Sequence, residues 1–139
     1  MLNVLITGAN SYIGTSFEKY ANEHYAKDFS IDTIDMKDGS WKEKDFSNYD
    51  VVYHVAGIAH ADVGHVDEAT KRKYYEVNTK LAIDTCKKAK ADGVKQFIFM
   101  SSAIMYGDSA DSPRVFQNGP DRRLSAGLCC CARIGRKQR

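Results

Sequence analysis

No stretch of this chain approaches the roughly 18 to 20 consecutive apolar residues of a membrane-spanning helix, so no span is expected. The first residues lack the charged segment and cleavage site of a secretory leader and pass straight into a strand-like run. The cytoplasm is therefore the expected address. Cysteine is scarce and poorly spaced for chemistry: Cys86 stands alone, and Cys129, Cys130 and Cys131 are consecutive. That layout offers neither a disulfide framework nor the paired spacing of a zinc site, and His60 and His65 have no partners at ligand spacing. Neither a disulfide nor a metal is expected. Net charge is small too, +2, and unevenly placed. From Asp111 onward, Arg114, Arg122, Arg123, Arg133, Arg136, Lys137 and Arg139 stand against Asp111 and Asp121, a balance of +5 that leaves −3 on the first 110 residues. With a mildly acidic domain before a basic tail, the overall basic balance says nothing of a nucleic-acid surface on the domain itself, so neither a nucleic-acid nor a membrane partner is expected, nucleic-acid binding through the tail being the weaker alternative.

What is present fits one globular α/β domain: 139 residues, 43% hydrophobic and 27% charged, allow a single core. The chain opens with an apolar run rich in β-branched residues, Leu2 to Thr7, followed by a polar turn and a helical pattern from about Tyr12 to Tyr25. A strand, tight turn and helix in that order leave backbone N–H groups unpaired at the positive end of a helix dipole, where an anion such as a pyrophosphate binds. Next, Ser30 to Asp35 alternates like a strand and ends on a carboxylate 21 positions beyond Gly14. Such a spacing suits a carboxylate that accepts both ribose hydroxyls of an adenosine and repels a 2′-phosphate, favouring NAD over NADP. Lys37 weakens that exclusion, and a plain strand-end turn at Asp35 is the alternative. Val51 to Gly57 is a near-continuous apolar run, the pattern of a strand buried on both faces. Spacing of three and four residues predicts a long helix over 67–91, stopped by Asp92-Gly93, and a strand follows from Val94. Between Met36 and Asp50 there is room only for a very short strand, with Trp41 packed on the sheet edge.

The turn Thr7-Gly8-Ala9-Asn10-Ser11-Tyr12-Ile13-Gly14 resembles the cofactor turn T-G-x-x-G-x-x-G of the extended short-chain dehydrogenase/reductases, the NAD-dependent epimerase/dehydratase family. Gly8 and Gly14 match its first and third glycines. Ser11 replaces the second, which normally allows close approach to the pyrophosphate, so its side chain either points away or donates its hydroxyl to a phosphate. The resemblance implies cofactor contacts from Gly8, Asn10, Ser11, Tyr12, Ile13 and Gly14, and from Asp35 and Met36 at the second strand tip. It also implies that Asp45-Phe46 lies against the adenine and that Val55, Ala56 and Gly57 leave space beneath the cofactor. Asn78, in Glu76-Val77-Asn78-Thr79, would face the cofactor. His54 is expected to be a strand histidine with a hydrogen-bond partner, since this position is not the family's base. The segment from Phe97 to Asp108 is similar to the family's serine strand, which puts Ser101 near the cofactor and makes Ser102 the catalytic serine, hydrogen-bonded to the reacting oxygen of a sugar.

This likeness covers Met1 to about Asp108. The family's Y-x-x-x-K motif, whose lysine lowers the pKa of the tyrosine that takes a proton, does not follow, and no tyrosine lies beyond Tyr106. The expected organisation is a Rossmann-like, mostly parallel doubly wound sheet over 1–110, then an atypical, irregular or disordered basic tail over 111–139. That tail reads as a truncated or frame-shifted end, or as a divergent one. The resemblance implies an NAD-dependent oxidoreductase acting on a nucleotide sugar, nearly inactive as this chain alone. A non-catalytic dinucleotide-binding sensor or interaction module is the alternative. Family members often dimerise through helices flanking the missing motif, so a homodimer is not required here.

Overall fold

The computed structural model describes residues 1–58 and 67–101, and the backbone of 132–133. Strand β1 (Leu2–Thr7) leads into helix α1 (Tyr12–His24), strand β2 (Phe29–Ile34), a 3-10 turn (Ser40–Lys42) and strand β3 (Val51–His54). Helices α2 (Glu68–Tyr75) and α3 (Leu81–Ala91) follow, joined without a break by a π turn (Glu76–Lys80), before strands β4 (Gln96–Phe99) and β5 (Ala132–Arg133). The sheet order is β2-β1-β3-β4-β5. The first four strands are parallel, and β5 pairs with Gln96 and Phe97 in the opposite sense. This is the expected Rossmann-like topology, except that two residues of the tail form a strand where an irregular segment is predicted. An open sheet edge offers unpaired backbone groups, which accounts for that pairing.

Register sorts the side chains into two layers. Leu5, Val52 and Phe97 lie side by side across β1, β3 and β4. On that face they join Met36, Trp41, Phe46, Ala89 and Val94 in one buried cluster under α3. On the other face α1 packs down: Phe17 meets Tyr53 edge-on with ring centroids 5.3 Å apart, and a Cβ at Gly14 would lie 3.2 Å from both Ile6 and Val55. Helices on both faces make the sheet doubly wound, and they explain why Val4 to Thr7 are buried without alternation.

Two local departures have physical causes. Between Met36 and Asp50 no strand forms. Gly39 takes a left-handed turn (φ 79) into the 3-10 turn, and Trp41, 3% exposed, anchors the segment in the core instead. The long helix over 67–91 starts on Asp67, whose carboxylate accepts the Thr70 N–H at 2.8 Å. Its middle opens into a π turn in which Leu81 N–H donates to Glu76 O, five residues back. The three- and four-residue spacing of apolar positions carries no signal for that extra residue.

Candidate functional site

Three turns converge at the carboxyl ends of the strands. After β1 the chain reverses at Gly8, with φ 110, and the Gly8 and Ala9 N–H groups both donate to Ile34 O of β2, at 2.9 and 3.0 Å. Only glycine fits: a Cβ there would stand 2.8 Å from Ala56 N and 2.9 Å from Ala56 Cα. Asn10 takes the left-handed conformation (φ 64) that short amides tolerate. Ser11 then caps α1 in extended geometry, its Oγ accepting the Gly14 N–H at 3.1 Å. The first α-helical bond runs from Thr15 N to Ser11 O, so the N–H groups of Tyr12 and Ile13 have no acceptor within the helix. Both side chains lie exposed beside them. Ser11 needs no glycine-like backbone, and its hydroxyl is turned onto the helix rather than away from it.

At the tip of β2, the Asp35 carboxylate is exposed and accepts the Lys37 N–H at 2.9 Å. After β3, Val55 N–H donates to Thr7 O at 3.1 Å, and the chain then leaves the sheet through Ala56, which touches Gly8, and Gly57. Asn78 reaches this turn from the π turn. Its Oδ1 accepts Ile58 N–H at 2.8 Å, and its Nδ2 donates to Ile58 O at 2.9 Å. The carboxamide is thereby spent on the backbone of the turn, so it shapes the cleft through Ile58. Sequence reasoning missed this role, because a non-local backbone partner leaves no local signal. At the end of β4, Met100 N–H donates to His54 O at 3.0 Å, leaving Ser101 half-buried at the same edge. Ser102, His60, His65 and Tyr106 lie outside the described residues.

Some expected residues do not join this group. The Asp45 carboxylate is closed on Ser47, at 2.8 Å to its N–H and 2.9 Å to its hydroxyl. Those two bonds hold its pKa below the ordinary carboxylate value. Phe46 N–H donates to Asp92 at the far end of α3, and its ring is wholly buried in the core. This pair therefore stands at the amino ends of the strands, away from the site, because it sits just ahead of β3 rather than at a strand tip. Met36 is also a core residue, 7% exposed, leaving the half-buried Asp35 as the more open group of that pair.

His54 is fully buried, its Nδ1 2.6 Å from Thr7 Oγ1. Burial alone pushes its pKa down to about 4, so the ring is neutral near neutral pH. Among the described residues no three His, Cys, Asp or Glu side chains gather as a metal site, and no helix is long and apolar enough to cross a membrane.

The model of the NAD dependent epimerase/dehydratase family matches residues 4–126. The chain belongs to this family. The match runs past residue 110, into the segment with the basic end. Among curated epimerases, UDP-glucose 4-epimerase 4 of Oryza sativa subsp. japonica is 33% identical over 92 residues, covering 63% of this chain and 24% of that protein. UDP-glucose 4-epimerase of Vibrio cholerae is 31% identical over 121 residues, covering 76% of this chain and 36% of that protein. This family member thus spans about a quarter to a third of such relatives. Solved structures share the fold. A short-chain dehydrogenase/reductase superfamily protein from Agrobacterium tumefaciens with bound NAD superposes with a TM-score of 0.60 at 18% identity, over 76% of this chain and 34% of that one. UDP-N-acetylglucosamine 4-epimerase from Methanobrevibacter ruminantium gives 0.61 at 20% identity, over 85% and 43%.

Proposed function

We propose that this chain is the NAD-binding portion of a nucleotide-sugar epimerase/dehydratase-like oxidoreductase. The observation that carries the reading is the cradle at Gly8: the turn lies so close on Ala56 that a Cβ would clash, while the Tyr12 and Ile13 N–H groups have no acceptor within the helix they begin. A pyrophosphate would be held by those two N–H groups with Ser11 beside them, and the adenosine ribose by Asp35. Ala56 and Gly57 present little side chain to the space between, and Asn78 fixes their turn through Ile58. The chemistry such a cofactor supplies is reversible acceptance of a hydride from a sugar carbon. Ser102 would hydrogen-bond the reacting sugar oxygen. No tyrosine in this chain has a lysine four residues on. A positioned general base is typically worth about 10²- to 10⁴-fold, so the chain alone turns over little or no sugar. That same absence favours a second reading, a non-catalytic dinucleotide-binding module.

Calorimetric titration of the full chain with NAD and NADP tests the reading. Saturable binding that prefers NAD, and that Asp35→Ala weakens about tenfold or more while narrowing the preference, supports it. No NAD binding by a folded sample overturns it. Sugar-dependent reduction of NAD, absent in Ser102→Ala, separates the enzyme reading from the module.

A further inference from the structure

One buried polar pair lies directly beneath the cleft. Thr7, His54 and Phe99 form the last row across β1, β3 and β4, immediately before the chain leaves the sheet. Thr7 and His54 have no exposed surface, and among the described residues their 2.6 Å contact is the ring's only hydrogen bond, Nε2 being buried without a partner there. The imidazole stacks against Phe97 and Phe99, with ring centroids 5.8 and 5.9 Å away and interplanar angles of 27° and 29°. A buried polar group that leaves one of its atoms unsatisfied costs stability that an apolar ring of the same shape would not. Packing alone therefore does not account for a histidine at this position. What the ring has that phenylalanine lacks is Nδ1, and Nδ1 grips the residue preceding Gly8. His54 itself stands two residues before Ala56, against which Gly8 is seated.

We propose that Thr7 and His54 are positioning residues that form a joint between the two turns of the cofactor cleft. The joint fixes the separation of the Gly8 and Ala56 turns, so that the N–H groups at the start of α1 and the small residues after β3 meet a dinucleotide at one spacing. It acts through the backbone and touches no ligand. This inference rests on the reading of the cleft as an NAD site.

The test is a double-mutant cycle on the full chain, Thr7→Val and His54→Phe singly and together, with His54→Asn as the conservative variant, whose amide places a polar atom near the Nδ1 position. Calorimetry with NAD, thermal unfolding and amide hydrogen exchange are read on each. The expected result is an affinity about 5- to 10-fold weaker in each single variant, the worth of one buried hydrogen bond. The double variant loses no more than either single one, and His54→Asn stays within about twofold of the wild type. Melting temperatures follow a different order, the double variant being the least affected because it leaves no buried polar atom of the pair without a partner, whereas each single variant orphans one. Wild-type binding with single variants that bind equally well, or with losses that add, overturns the joint. If the wild type binds no NAD, the proposed function fails, and exchange decides the joint alone. Thr7→Val then speeds exchange at the Gly8, Ala9 and Val55 amides if the joint exists and leaves it unchanged if it does not.

Discussion

The two ends of the sheet are held together by different chemistry. At the amino ends of the strands, carboxylates do the tying. Asp50 accepts Asn3 N–H at 3.0 Å and pairs with Lys95 at 2.5 Å, and Asp92 accepts Phe46 N–H at 3.0 Å and pairs with Lys88 at 2.9 Å. Lys88 also lies over the Phe46 ring. At the carboxyl ends the ties are neutral: two N–H groups on Ile34 O, the Asn78 carboxamide on Ile58, and Thr7 on His54. The contrast shows how a closed end differs from an end built to receive something. Charges at the amino end satisfy one another, whereas the carboxyl end, its turns tied to one another by neutral groups, leaves helix-start N–H groups for an anion to satisfy.

The largest expected effect comes from closing the cleft at its tightest point. Gly8→Ala adds a methyl group 2.8 Å from Ala56 N at a backbone angle that L residues avoid. We expect about 2 to 4 kcal/mol of lost stability by urea unfolding, together with loss of NAD binding. A smaller cost would mean that the two turns separate more readily than their packing implies.

An acid titration separates the two ends in order. Folding keeps His54 neutral with a pKa of about 4, against 6.5 for the exposed ring. Above pH 6.5 the group adds no pH dependence. Between pH 6.5 and 4 the unfolded chain takes up a proton that the folded chain refuses, so stability falls with pH by up to about 3 kcal/mol and then levels. His54→Phe should flatten this window. Asp50 is displaced in the same direction by a different cause: its bonds to Lys95 and Asn3 hold its pKa below the ordinary carboxylate value. Its contribution is present above that value and is lost only at lower pH, as the acid titrates the folded carboxylate. The carboxyl end should therefore weaken first, a sequence that unfolding curves at pH 7, 5 and 3 would reverse if the contrast were wrong.

The smallest effect belongs to the best-formed ion pair. Lys95 is largely exposed, so Lys95→Met should cost no more than about 1 kcal/mol, and less in 1 M salt, by thermal unfolding. A salt-insensitive loss would show that Asp50 is more enclosed than its position at the sheet end suggests.

The sequence made the carboxyl end largely legible and the amino end hardly at all, for a physical reason. Gly8 and Gly14 shape the turn through backbone geometry, and Asp35 reaches the tip of β2 through spacing along one βαβ unit, both of which local pattern records. His54 read as a strand histidine with a partner, and it has one; that the partner is Thr7 is set by register between strands 47 residues apart. Asp45-Phe46 misled because two common residues carry no information about which end of a strand they adjoin. Its place was decided by a bond to Asp92, 46 residues away. Asn78 stood out as an odd choice for a helix middle, yet its two bonds to Ile58 and the π turn beneath it depend on tertiary closure.

The π turn at Glu76–Lys80 also sets the phase of what precedes it. Each helical residue turns the axis by about 100°, so the one surplus residue acts as a slip between two gears, α3 meshed with the core and α2 rotated out of step with it. Removing a single residue there would restore an unbroken α-helix and swing Asn78 off Ile58, unlatching the turn after β3 although no residue of that turn had changed. The length of this segment, and not only its composition, is thus part of the cleft.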